Sequence, residues 1–154
     1  MKKLLLMLCV LAVCLAGMTA CGKISYDGQD FLTSSVDSYR YVLSMDTGST
    51  NTTLNRDFKG FHGKDTIWKL SASEATQIPI EVSATVTDGR FKILLIGPDQ
   101  SITTLLEGDG TEHVDVELKE GTSRIILVGE ESEGSCEVTV GEAQNVTANP
   151  LFWD

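Results

Sequence analysis

An aspartate at the end of an apolar stretch is the first arrangement in this chain with the makings of a reactive group. Tyr41-Val42-Leu43-Ser44-Met45 leads into Asp46-Thr47-Gly48-Ser49, so a strand would deliver a carboxylate to the mouth of a polar turn. Proton transfer at such a carboxylate needs a second one beside it, because like charge at close range is what separates an acid from a base. The segment occurs once in the chain, so its partner would have to come from another molecule. The plainer reading is structural: Asp, Gly and Ser are turn residues, and Asp-Thr-Gly-Ser suits a connection between two strands.

Asp46-Thr47-Gly48-Ser49 resembles the active-site motif of aspartic proteases, in which an apolar strand carries Asp-Thr-Gly-Ser/Ala into a loop. The resemblance implies Asp46 as the catalytic residue of a homodimer near the size of the retroviral-type enzymes. Leu127-Val128-Gly129 would then stand for their downstream hydrophobic-hydrophobic-Gly element. The stretch between reads as regular hairpins, with no match to the flap of those enzymes.

Other candidate groups are scattered. Asp27, Asp30, Asp57, Asp65, Asp99, Asp109, Glu112 and the run Glu130-Glu131-Ser132-Glu133 supply carboxylates for calcium, yet no Asp-x-Asp-x-Asp-Gly spacing occurs. A solvated acidic surface accounts for them more simply. His62 and His113 lack a second ligand at helical or loop spacing, which disfavours zinc. Neither a Gly-x-Ser-x-Gly elbow nor a phosphate loop is present. No metal and no cofactor is expected. Asn51-Thr52-Thr53 and Asn145-Val146-Thr147 fit the glycosylation sequon. Trp68, Trp153, Tyr39 and Tyr41 could stack on sugar rings, although Trp68, in phase with Leu70, fits a core position better.

The N-terminus supplies an address. Met1-Lys2-Lys3 is a positive start, and Leu4 to Ala16 is an apolar run of 13 residues, shorter than the ~20 that span a bilayer and suited to an export signal. Gly17-Met18-Thr19-Ala20-Cys21-Gly22 resembles the lipobox of bacterial lipoproteins. That resemblance implies cleavage between Ala20 and Cys21, diacylglycerol on the Cys21 thiol, and a membrane anchor at the extracytoplasmic face. An ordinary secreted protein beginning at Cys21 is the alternative. Losing Lys2 and Lys3 with the signal takes the formal charge from −10 to −12. Nucleic acid is an improbable partner for such a surface. Cys9 and Cys14 leave with the signal and Cys21 would be acylated, so Cys136 has no disulfide partner. It shares parity with Val138 and Val140, which predicts a buried, inert thiol.

These groups must be positioned by strands. Residues 22–38 are small and polar and suit a tether, with a short helix near Asp30 to Tyr39. Tyr39–Met45, Leu54–Phe61 and Thr66–Leu70 read as irregular strands. Ile78 to Val86 alternates, Asp88-Gly89 suits a hairpin turn, and Phe91 to Ile96 is a nearly continuous apolar run, as a strand covered on both faces would be. Ser101–Leu106, Val114–Leu118, the second apolar run Ser123–Val128 and Cys136–Val140 follow, with Gly129 to Gly134 as an acidic loop. The spacing predicts an all-β fold, an antiparallel β-sandwich, jelly-roll-like or Ig-like, of about eight or nine strands. The aromatic C-terminus, Asn149 to Asp154, should fold back onto it; a partner-binding hook is the other reading.

The expected division is a signal over 1–20, a lipidated tether over 21–38 and one domain over 39–154. Strands Ile78 to Val140 loosely resemble the small β-sandwich modules of carbohydrate-binding and pre-peptidase C-terminal type on exported bacterial proteins. The expected function is a lipid-anchored, cell-surface, non-catalytic binding or structural module for a glycan, the cell wall or a protein. An accessory subunit of an envelope complex is the alternative, and a dimeric aspartic protease through Asp46 a minor one.

Overall fold

Two strand segments, Ile93–Ile96 and Ile125–Val128, are apolar at every position, and each needs cover on both of its faces. The computed structural model, which describes residues 26–152, shows how they get it. A short helix, α1 (Gln29–Thr33), precedes eight strands: β1 (Ser38–Arg40), β2 (Leu43–Asp46), β3 (Thr53–Ala72), β4 (Thr76–Ile96), β5 (Ile102–Glu107), β6 (Gly110–Leu118), β7 (Gly121–Val140) and β8 (Val146–Pro150). All pairings are antiparallel, and the three long strands lie side by side in the order β3-β7-β4.

Strands of 20 or 21 residues are much longer than the usual five or six, and here each serves two layers. In the first layer β2, the N-terminal half of β3, the C-terminal half of β7, the N-terminal half of β4, and β6 are neighbours. In the second, β1 and β8 flank the C-terminal half of β3, followed by the N-terminal half of β7, the C-terminal half of β4, and β5. One core lies between them, joining Leu54, Phe58, Ile80 and Val138 of the first layer to Trp68, Leu70, Ile93 and Leu127 of the second. The fold is an antiparallel β-sandwich, made by bending one hydrogen-bonded sheet back on itself.

The bend explains where the sequence reading went wrong. Asp88-Gly89 is no hairpin turn: β4 runs through it, with register shifts between Val86, Asp88 and Arg90. Gly129 to Gly134 is no loop but the middle of β7, with Glu131 at φ 50°. The residues that favour positive φ in a reversing turn equally favour a bulge, which kinks a strand without ending it. Gly89 has φ 71° and packs so tightly that a Cβ would strike the carbonyl oxygens of Glu130 and Glu131. Irregular pairing between Phe58 and Gly63 of β3 completes the fold line across all three strands. Leu54–Phe61 and Thr66–Leu70, expected as two strands, are likewise parts of one.

The doubly apolar runs lie in the second layer. Ile93, Leu95, Ile125 and Leu127 face the core, while Leu94, Ile96, Ile126 and Val128 face outward and are covered by Tyr26, Phe31 and Leu32. From Tyr26 onward, then, the stretch expected to be a free tether is docked. Its helix spans Gln29–Thr33 rather than reaching Tyr39. Cations satisfy the C-terminal carbonyls of this single turn, which its own backbone leaves open. Lys64 Nζ donates to Phe31 O at 3.1 Å and Ser34 O at 2.5 Å; Arg124 donates to Ser34 O and Thr33 O, both at 2.7 Å. Asp27 closes the other end, accepting from Lys92 Nζ at 2.7 Å and Arg90 Nη2 at 3.2 Å. Those two cations also lie 4.0 Å from the centroid of the Tyr26 ring.

The C-terminus folds back as expected. β8 pairs with Trp68–Ala72, and the Phe152 ring meets Trp68 edge-on at 4.7 Å. Trp153 and Asp154 lie outside the described residues, as do Ala20, Cys21 and the rest of the expected signal over 1–20.

Candidate functional site

The two outer faces of the sandwich differ in kind. That of the second layer is largely apolar and covered by the N-terminal segment. On the first layer the outward positions are open and mostly polar, with Leu43 and Met45 of β2 as apolar exceptions. Strand register sets them in rows: Thr53-Thr139-Glu81-His113, then Asn55-Glu137-Ser83-Thr111, then Met45-Asp57-Ser135-Thr85. Ser83, Ser135 and Thr85 are small, with Glu137 beside Ser83 on β7 and Asp57 beside Ser135 on β3. The result is a shallow depression of about 370 Å³ lined by Asn55, Asp57, Ser83, Thr85, Thr111 and Glu137, with Thr47 at one edge. A second, of about 340 Å³, continues it past Asp57 and Thr85 toward Leu43, Lys59 and Glu133. Together they make a groove running from the middle of the layer to the bend.

Its chemistry is that of hydroxyls, an amide and two carboxylates. Lys59, at the bend end, is paired with Glu133 at 3.2 Å. Arg56 contributes backbone only, because its side chain turns into the molecule. No basic side chain is therefore left to hold an anion in the groove. Sequence reading did not find this site, since no motif marks it. Alternation alone predicted that Ser83, Thr85, Ser135 and Glu137 point outward; register across four strands, which brings them together, is not visible in a single strand's pattern.

Asp46 lies elsewhere. It ends β2, facing inward, and both carboxylate oxygens are taken by Arg56: Nε to Oδ1 at 2.6 Å and Nη2 to Oδ2 at 3.0 Å. Arg56 Nη1 reaches across the core to Asp65 Oδ2 at 2.8 Å, and the same oxygen accepts from Tyr41 Oη at 2.9 Å. This buried cluster bridges the two layers. Burial works against the charge on Arg56, but Asp46, Tyr41 and Asp65 together more than offset it and hold the guanidinium above its ordinary value. Asp65, with burial as the largest influence, is held above the ordinary carboxylate range despite Arg56. Thr47, Gly48 and Ser49 form the turn that suits their types, Ser49 Oγ accepting from Asn55 N at 2.9 Å.

The proposed stacking aromatics divide. Trp68 is fully buried, and Tyr41 lies flat on Phe61 with centroids 4.5 Å apart, so neither presents a face to a sugar. Tyr39 is exposed, though not in the groove. Cys136 is buried, and desolvation pushes its thiol up to about 12. His113 is exposed beside Glu81 at 3.2 Å, and His62 Nδ1 lies 3.1 Å from Glu131. Among the described residues no group of three potential ligands converges on a metal position.

No protein-family model matches this chain, and no curated protein matches it. Among solved structures it is similar to a family 35 carbohydrate-binding module from an environmental isolate, at 21% identity and TM-score 0.36 over 77% of this chain and 88% of that one. It is similar also to CBM35 of Abf62 from Cellvibrio japonicus, at 12% identity and TM-score 0.36 over 77% and 94%. A third is a structure described as CBM4, at 9% identity and TM-score 0.36 over 76% and 81%. Likeness of this degree carries no information on what this chain binds.

Proposed function

We propose that this protein is a lipid-anchored, non-catalytic module at the extracytoplasmic surface that binds a hydroxyl-rich ligand, a neutral or amino-sugar glycan, along the groove of its first layer. The asymmetry of the two faces carries the reading. A sheet face that is polar, open and dished by small central side chains suits a ligand rich in hydroxyls, while its twin is sealed by the chain itself. Asp57 and Glu137 accept from sugar hydroxyls or an ammonium and repel uronates and phosphates. Catalysis through Asp46 is disfavoured by Arg56, which occupies both oxygens that a proton-sharing pair would need. The lipid anchor rests on Met18-Thr19-Ala20-Cys21; Cys21→Ser should abolish acyl labelling and membrane retention, and persistence of both would remove it.

Calorimetry of the soluble Cys21→Ser protein against neutral, amino-sugar and uronate oligosaccharides tests the groove. Neutral or amino-sugar ligands should bind, and Ser83→Trp, which fills the depression, should weaken binding at least tenfold with the melting temperature little changed. Preference for uronates, no binding in any class, or indifference to Ser83→Trp would each contradict the assignment.

A further inference from the structure

The docked N-terminus fixes how far the domain stands from its anchor. If Cys21 is acylated, as proposed above, the chain from Cys21 to Tyr26 spans at most about 18 Å, five residues at ~3.3–3.6 Å each. Tyr26 is no loose end: it is buried and gripped by Arg90 and Lys92, with Asp27 bound to both. The point of attachment therefore lies at the bend corner, where Arg90 pairs with Glu130.

That corner continues across the sheet to an apolar rim. From Arg90 on β4 the path runs through Glu130 and Glu131 on β7 to His62 on β3 and Arg40 on β1, three strand spacings or ~14 Å. Glu131 is ion-paired with Arg40. Immediately beyond, Val42 is 75% exposed, Leu43 50%, Met45 51% and Tyr39 52%, most of the exposed large apolar side chains among the described residues. Val42 N donates to Lys59 O, so this rim is tied to the fold line and not a wandering loop. The charges between are matched: Arg40 with Glu131, Lys59 with Glu133, Arg90 with Asp27 and Glu130. On a chain of formal charge −10 before processing, a corner of mutually paired charges approaches an anionic bilayer at the lowest electrostatic cost.

We infer that Tyr39, Val42, Leu43 and Met45 rest in the lipid headgroup region, so that the domain lies against the bilayer on its bend corner instead of floating on a tether. Aromatic and aliphatic side chains at that depth gain from partial burial. The inference rests on the anchor reading, and the test separates the two. Full-length protein, with acylation of Cys21 checked by intact mass, is reconstituted into vesicles of phosphatidylethanolamine and phosphatidylglycerol carrying a spin label at headgroup depth. A polarity-sensitive fluorophore is placed on Leu43→Cys or, at the opposite end of the second layer, on Thr122→Cys, both exposed positions. Emission from position 43 should shift to the blue and be quenched at least threefold more than from position 122. Equal, weak quenching at the two sites overturns the docking while leaving the anchor intact. A blue shift at 43 without lipid quenching overturns it too, by showing a protein partner. Absence of lipid on Cys21 overturns both readings.

Discussion

Arg56 is the residue on which most depends. It is 7% exposed and supplies every positive charge near two carboxylates inside the sandwich. Removing one member of a buried ion cluster leaves the others desolvated and unpaired, so Arg56→Met should destabilise by about 3–5 kcal/mol in denaturant titration, and Asp46→Asn by less. Equal small effects would mean that the cluster is wet. Cys136 gives a second measure of the interior. Because the folded state keeps a proton that the unfolded chain releases near pH 8.5, stability should fall as pH rises above that value, toward the folded thiol's about 12. Alkylation at pH 8.5 should proceed only at the rate of global unfolding, and prompt labelling of native protein would refute the burial. At this scale the sequence was informative for Cys136 and Trp68, whose parity placed them inside. For Asp46 it showed the turn that follows but not the partner, which stands ten residues away on another strand: a motif shows what an aspartate could do, not which cation has already claimed it.

At the scale of elements, local periodicity located the apolar and alternating segments well but not their continuity. Phe91–Ile96 and Ser123–Val128 were rightly read as covered on both faces; what covers them was hidden in a polar stretch with three useful apolar residues, Tyr26, Phe31 and Leu32. Three long strands were divided at Gly and Asp because turn chemistry and bulge chemistry are the same chemistry. The N-terminal strap yields its own prediction. Leu32 is buried against Leu94, Ile96, Ile126 and Val128, and Leu32→Ala should cost about 2–5 kcal/mol. Deleting residues 26–34 should in addition produce binding of a hydrophobic dye by the bared face, and no dye binding would show the strap to be dispensable.

The whole molecule combines a strongly acidic charge, a polar groove on one side and, on the proposed lipidation of Cys21, a point of attachment at one corner. Composition alone fixed the charge and with it the low standing of nucleic acid as a partner. The groove could not have been read from the chain, since it exists only where four strands align in one register. Rows of the groove lie progressively farther from the fold line, so a domain lying on its bend corner would present the groove standing up from the bilayer, its Leu43 end nearest the lipid.

One further consequence concerns the order of events in folding. Tyr26 to Phe31, first in the described chain, dock onto strand segments that begin near residues 94 and 124, and β3 takes its partner β7 from about 70 residues downstream. Almost nothing stable can form until β7 has been made, because loop closure must precede every long-range pairing. Slow, late folding of this kind is compatible with the proposed export, in which the chain would cross a membrane while still extended. It also means that an incomplete chain carries a bare apolar strand face until β7 and the N-terminal segment are in place.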